Sequence, residues 1–157
     1  MNENVSLYWI RQDLRLHDNP ALIESLKNGP IIPIYILDDV NSDDHKIGQA
    51  GRVWLHQSLK ELDKEFQNNL IIAKGNPEEI LAKICQLESI KKIYWNRVYE
   101  PWVISRDKKI KTNLKSFSFF EGINKNGDLS IRDVEIHKKK IYLSVINEIK
   151  DNCFNLE

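Results

Sequence analysis

Trp9-Ile10-Arg11-Gln12-Asp13-Leu14-Arg15-Leu16-His17-Asp18-Asn19-Pro20 is the stretch that decides how this chain folds. An apolar strand, Ser6 to Arg11, stops abruptly and gives way to a charged turn. Asp18 or Asn19 then caps a new helix, because a short polar side chain there accepts a bond from an orphaned backbone N–H. Pro20 suits the first helical position, where no amide hydrogen is needed. A strand that runs directly into a capped helix is the junction of an open α/β fold, and such sheets bind ligands at these junctions.

The same alternation continues downstream. Leu22, Ile23 and Leu26 mark a helix ended near Asn28-Gly29-Pro30. Ile31 to Leu37 is a continuous apolar run, suited to a central parallel strand covered on both faces. Pro33 is awkward in it, since proline donates no ladder bond, and is expected near the strand start. Gln49 to Phe66 reads as a helix, with Leu55, Leu59, Leu62 and Phe66 on one stripe. Leu70 to Ala73 is a third strand. Asn76-Pro77-Glu78-Glu79 carries the signals of a helix start, and Ile80, Ile84 and Leu87 form its buried stripe. Lys92 to Trp95 is a fourth strand, Pro101 opens a helix with Val103, Ile110 and Leu114 on one face, and Ser116 to Phe120 is a fifth strand. Such β-α steps predict a Rossmann-like, doubly wound, five-stranded parallel sheet with helices on both faces.

Length and composition bound the answer. A chain of 157 residues holds one domain with a real core. The formal net charge is zero, so no global field draws the chain toward nucleic acid. Cys85 and Cys153 are too far apart in sequence for a metal or redox motif, and Cys85 reads as a small core residue. This usage fits a reduced, cytoplasmic setting. Met1-Asn2-Glu3-Asn4 has no basic region leading an apolar stretch, so no signal peptide is expected. No apolar run is long enough to span a bilayer, and no membrane partner is expected. The four histidines show no metal-ligand spacing.

Three motifs carry a resemblance. The opening Trp9-to-Asn19 string is similar to the W-x-R-x-D-L-R-x-x-D-N of the DNA photolyase/cryptochrome family. Gly51-Arg52-Val53-Trp54-Leu55-His56-Gln57-Ser58-Leu59 resembles that family's arginine-led helix with its L-x-x-S-L run. Asn96-Arg97-Val98-Tyr99-Glu100-Pro101-Trp102, followed by Arg106-Asp107, resembles its N-R-x-Y-E-P-W…R-D stretch. The match runs from Val5 to Leu114 and fades from Lys115 onward. It implies an N-terminal α/β domain, residues 1–120, that holds an antenna chromophore. In intact members a helical domain with FAD follows, and light drives the splitting of cyclobutane pyrimidine dimers in DNA. That helical domain is not expected here, nor is repair by this chain alone. Contact with DNA is expected only through such a domain, supplied by a separate FAD-domain polypeptide. An independent antenna module, half of a split enzyme, an inactive truncated fragment and a light-independent nucleotide-binding module all remain open.

The resemblance also nominates site residues, each with an ordinary structural role beside the functional one. Arg11 is the expected pocket residue of the first turn, while Asp13 and Arg15 serve local ion pairing. Leu37 and Asp38 close the second strand at the expected pocket. Arg52, in the first turn of its helix, has the planar fork to reach a phosphate or a polar ring edge, although a solvated arginine is the usual case. Glu100 precedes Pro101, so its carboxylate favours the positive helix end, and it also suits the ring N–H of a flavin. Val98 weakens a deazaflavin assignment, and Trp102-Val103 stand where folate-binding members carry Asn-Glu. A flavin-type antenna, FMN or deazaflavin, is therefore expected ahead of folate. Trp9 and Trp95 read as core, and Trp54 and Trp102 as interface or pocket-edge residues. The 121–157 segment contains an Asn126-Gly127 hairpin signal. Beyond it, Ile141, Leu143 and Val145 fit a strand, while Ile141, Val145 and Ile149 fit a helix equally well.

Overall fold

The computed structural model describes residues 5–16, 19–85, 90–115 and 117–122. Five strands form one parallel sheet: β1 (Val5–Ile10), β2 (Ile31–Leu37), β3 (Ile71–Lys74), β4 (Ile90–Asn96) and β5 (Ser118–Gly122). Their spatial order is β3-β2-β1-β4-β5. Four helices connect them: α1 (Pro20–Lys27), α2 (Gln49–Glu65), α3 (Pro77–Cys85) and α4 (Pro101–Asn113). The expected Rossmann-like fold is therefore the observed one. β2 has the bounds read from the sequence, and the other strand ends differ by one to two residues, as hydrogen-bond boundaries commonly do. The expectations for Leu87, for the side chain of Cys85 and for residues 123–157 lie outside the described residues.

Alternate residues of β1 mark the two faces of the sheet. Tyr8 faces α1 and α2: its hydroxyl accepts a bond from Asn19, and its ring lies 6.5 Å from Phe66 at the end of α2. Trp9 faces the opposite way, edge-on to Trp95 at 5.3 Å, under Arg106 of α4. Both faces are covered, and every residue of β1 is buried.

Pro33 sits in a strand with neighbours on both sides, yet it breaks no ladder. Ser6 N–H donates to the Pro30 carbonyl at 3.1 Å, so the even-numbered residues of β2 bond to β1. Pro33 therefore turns toward the β3 side. β3 begins only opposite Ile34, so no acceptor waits there.

The amphipathic stripes pack as their periodicity predicts. Leu55, Leu59, Leu62 and Phe66 are all buried against the sheet, as are Ile80, Ile84, Val103 and Ile110. Asn19 caps α1, its side chain accepting from Leu22 N–H, with Pro20 at the first position.

Candidate functional site

The sheet's winding reverses between β1 and β4, because β1 leads outward to β2 while the return from β3 lands on the other side. The two crossovers diverge there and leave a crevice beyond the C-terminal strand ends. A cleft of about 170 Å³ opens at that place, walled by the ends of β1 and β2, the loop after β2, and the start of α4.

Its floor is a stack of cations and indoles. The Arg11 guanidinium lies 4.7 Å from the Trp9 ring centre and 5.4 Å from that of Trp95. Arg106 lies between Trp9 at 5.0 Å and Trp102 at 5.2 Å. His45 then stacks on Trp102, nearly parallel at 6.0 Å. Each cation rests on a negative ring face, so the stack is held electrostatically as well as by area. Carboxylates close the circuit: Asp107 pairs with both Arg11 and Arg106, and Asp38 accepts from Arg106 at 3.1 Å. Burial pulls the Arg11 guanidinium below the usual arginine range, and Asp107 opposes that pull. Arg11 Nε and Nη1 and the Ser42 hydroxyl are buried without a hydrogen-bond partner.

The rim is polar and more exposed. Glu100 is the N-cap residue of α4, but its side chain makes no capping bond. Instead its carboxylate accepts from Gln12 Nε2 at 2.7 Å and from Trp102 Nε1 at 2.8 Å. Those two bonds hold the Glu100 carboxyl below its usual range. On the facing wall Arg52 grips both oxygens of Asp39, at 2.9 and 3.0 Å, and donates to the Ile47 carbonyl. This lowers the Asp39 pKa, and burial, then Asp39, push the Tyr35 phenol up to about 12.

Four of the five nominated residues, Arg11, Leu37, Asp38 and Glu100, line the one cleft. Arg52 does not; it stands behind Asp39, which does. Where local ion pairing was expected of Asp13, hydrogen bonds carry its structural role: it accepts from Arg11 N–H, Tyr8, Asn19 and Asn96, tying β1 to α1 and β4. Trp9 and Trp95 are core, and Trp102 is at the cleft edge. Trp54 lies outside it, 65 % exposed. The sequence assigned no task to Arg106, Asp107, Ser42 or His45. Arg106-Asp107 was visible only as part of a motif, and nothing local marked the other two. Among the described residues, no group of His, Cys, Asp and Glu suits a metal ion, and no helix is long and apolar enough to cross a membrane.

A Rossmann-like domain with an aromatic, charge-lined cleft at its switch point is an α/β module with a cleft where such sheets bind their ligands. The chain belongs to the DNA photolyase family, whose sequence profile matches residues 6–143. The match thus runs past Leu114, where the motifs fade. The deoxyribodipyrimidine photo-lyase of Agrobacterium fabrum is 34 % identical over 113 residues, which are 69 % of this chain and 23 % of that protein. A bacterial class III photolyase structure from Agrobacterium tumefaciens superposes with a TM-score of 0.69 at 31 % identity, covering 78 % of this chain and 26 % of the other. An archaeal photolyase from Sulfolobus tokodaii, solved with two FAD molecules, gives 0.65 at 26 % identity, covering 74 % and 28 %. The chain spans about a quarter of the length of these relatives.

Proposed function

We propose that this chain is the light-collecting domain of a photolyase-type protein and holds a flavin-type antenna, FMN or a deazaflavin rather than a folate, in the switch-point cleft. The observation that carries this reading is the convergence of Arg11, Leu37, Asp38 and Glu100 on one cleft with an indole wall. A flat ring system gains area against the open end of the stack, at the His45 ring that lies on Trp102. The ionised Glu100 carboxylate has acceptor capacity left for a ring N–H beyond its bonds from Gln12 and Trp102. The buried Arg11 and Ser42 atoms without partners suit the polar edge of such a ring. Arg52 reaches the ligand only by releasing Asp39, an exchange that a half-exposed ion pair permits at low cost.

The antenna collects light; the splitting of pyrimidine dimers, the FAD that drives it and the contact with DNA belong to the family's helical domain, for which a separate polypeptide is the proposed source. Such a partner would place this domain in the cytoplasm beside the enzyme's DNA substrate. The test is titration of the purified chain with FMN, a deazaflavin and a reduced folate, read by absorbance and fluorescence. Saturable binding of a flavin-type pigment, lost in an Arg52→Ala/Glu100→Ala variant that still melts cooperatively, is the expected result. Failure of all three to bind a folded chain, or preference for the folate, overturns the reading. Illuminated chain with FAD and dimer-containing DNA is expected to leave the dimers intact.

A further inference from the structure

The carboxylates around the cleft divide by the kind of donor that holds them. Asp107 pairs with Arg11 and Arg106, and Asp38 pairs with Arg106. Asp39 pairs with Arg52 and, at 3.8 Å, with Lys74. Glu100 is different. Its two donors are neutral: the Gln12 amide at 2.7 Å on Oε1 and the Trp102 indole N–H at 2.8 Å on Oε2. Among the described residues no lysine, arginine or histidine forms an ion pair with it, and His45 and Arg106 act on it only through space.

The two donors come from different elements. Gln12 stands in the exposed turn after β1, and Trp102 in the first turn of α4. Trp102 is itself fixed between Arg106 and His45. One donor on each oxygen sets the plane of the carboxylate; with Trp102 alone the group is free to swing about that single bond. A carboxylate has about four acceptor positions, so roughly one per oxygen stays open after these two bonds. Gln12 holds its oxygen without adding charge. An arginine in its place would satisfy the same oxygen and neutralise the group as well. The bonds to Gln12 and then Trp102 keep Glu100 ionised at neutral pH.

We infer that Gln12 is a positioning residue: with Trp102 it presents Glu100 at the cleft rim as a carboxylate paired with no cation, so that the cleft selects a flat ring bearing an edge N–H over the same ring without one. This rests on the antenna reading and deepens it. It names what the ligand must donate, and the residue that makes Glu100 responsive to that donor. An oxidised flavin or deazaflavin carries one ring N–H, at N3.

FMN and its N3-methyl derivative differ at that position alone, and fluorescence titration compares them. The wild-type chain is expected to bind FMN at least about tenfold more tightly than N3-methyl FMN, the worth of one hydrogen bond to a charged group. Gln12→Ala is expected to reduce this preference to about threefold or less. Gln12→Arg, which still holds the carboxylate but neutralises it, is expected to reduce it too. In a Glu100→Gln chain the preference is expected to be lost already, and adding Gln12→Ala is expected to change it no further. A merely structural Gln12 would weaken both ligands alike in either background. Cooperative melting by circular dichroism shows that each variant folds. A preference that survives in Gln12→Ala, or that Gln12→Ala still lowers in the Glu100→Gln chain, overturns the inference and leaves the antenna reading standing. So do equal wild-type affinities for FMN and its methyl derivative. No binding of FMN by the folded wild-type chain overturns it as well, and the deazaflavin and folate titrations then decide the antenna reading.

Discussion

Arg11 and Arg52 each hold an aspartate beside the cleft, at opposite extremes of solvent access. The Arg11 and Asp107 side chains are 3 % and 6 % exposed; those of Arg52 and Asp39 are 36 % and 19 % exposed. The floor pair is fixed because neither charge has water to return to. The rim pair is exchangeable, because solvent or a ligand can replace either partner. A cleft built this way has a rigid aromatic base and an adaptable mouth.

The contrast is broken most severely at Asp107. Asp107→Ala leaves Arg11 buried without its countercharge and takes a partner from Arg106. A loss of about 3–5 kcal/mol is expected in urea unfolding. Arg11→Met/Asp107→Leu is expected to recover most of it, since removing both charges also removes the desolvation cost. A double variant as unstable as the single one would mean that the pair contributes net stability.

Next in size is Gly122→Ala, which tests how rigid the C-terminal end of the edge strand β5 is beside Asn96. A Cβ there would lie 2.2 Å from Asn96 Oδ1 and 2.9 Å from the Ala21 backbone nitrogen. Asn96 Oδ1 accepts the Ala21 N–H, and its Nδ2 serves the Asp13 knot, so the amide has no free direction in which to retreat. The expected cost is about 1–3 kcal/mol, again by urea unfolding. No measurable cost would mean that the knot repacks.

At the rim the effects shrink. Arg52→Ala is expected to lower stability by about 1 kcal/mol or less, as for other half-exposed pairs. A loss near that of Asp107→Ala would erase the distinction between floor and rim.

Acid probes the rim most gently. Hydrogen bonds hold Asp39 and Glu100 below their ordinary values, from Arg52 for the first and from Gln12, then Trp102, for the second. A depressed carboxyl stabilises the fold above its unfolded pKa of about 4, and that contribution disappears as pH falls through the lower folded value. Below about pH 4 the Trp102 environment is expected to change before the sheet melts, with less than about 1 kcal/mol lost. Comparing fluorescence with a Trp102→Phe chain and with circular dichroism checks the order. Simultaneous transitions in both signals would tie the rim to the core.

The architecture was legible because its signals are local. Asn19-Pro20 caps and starts α1 wherever the rest of the chain lies, and the Leu55-to-Phe66 stripe needs only the helical period. Pro33 was legible as an anomaly, but its harmlessness depends on where β3 begins. The cleft was legible only in part: Arg11, Leu37, Asp38 and Glu100 were nominated, while Ser42, His45, Arg106 and the wiring were not. Arg11 meets Asp107 across 96 residues of sequence, and Gln12 meets Glu100 across 88. No periodicity or spacing links such partners.

By itself, then, the sequence determined the strands, the helices, the order in which they alternate and the family whose motifs sit at the strand ends. The elements and their order follow from short-range sterics, capping and burial period; the family follows from the resemblance of the motifs. The tertiary structure alone decided that Arg52 turns to Asp39 instead of lining the cleft, and that Arg106 lies between two indoles. Charge pairing and cavity shape arise only when crossovers bring distant strand ends together, because Coulomb attraction and desolvation depend on distance in space and not along the chain.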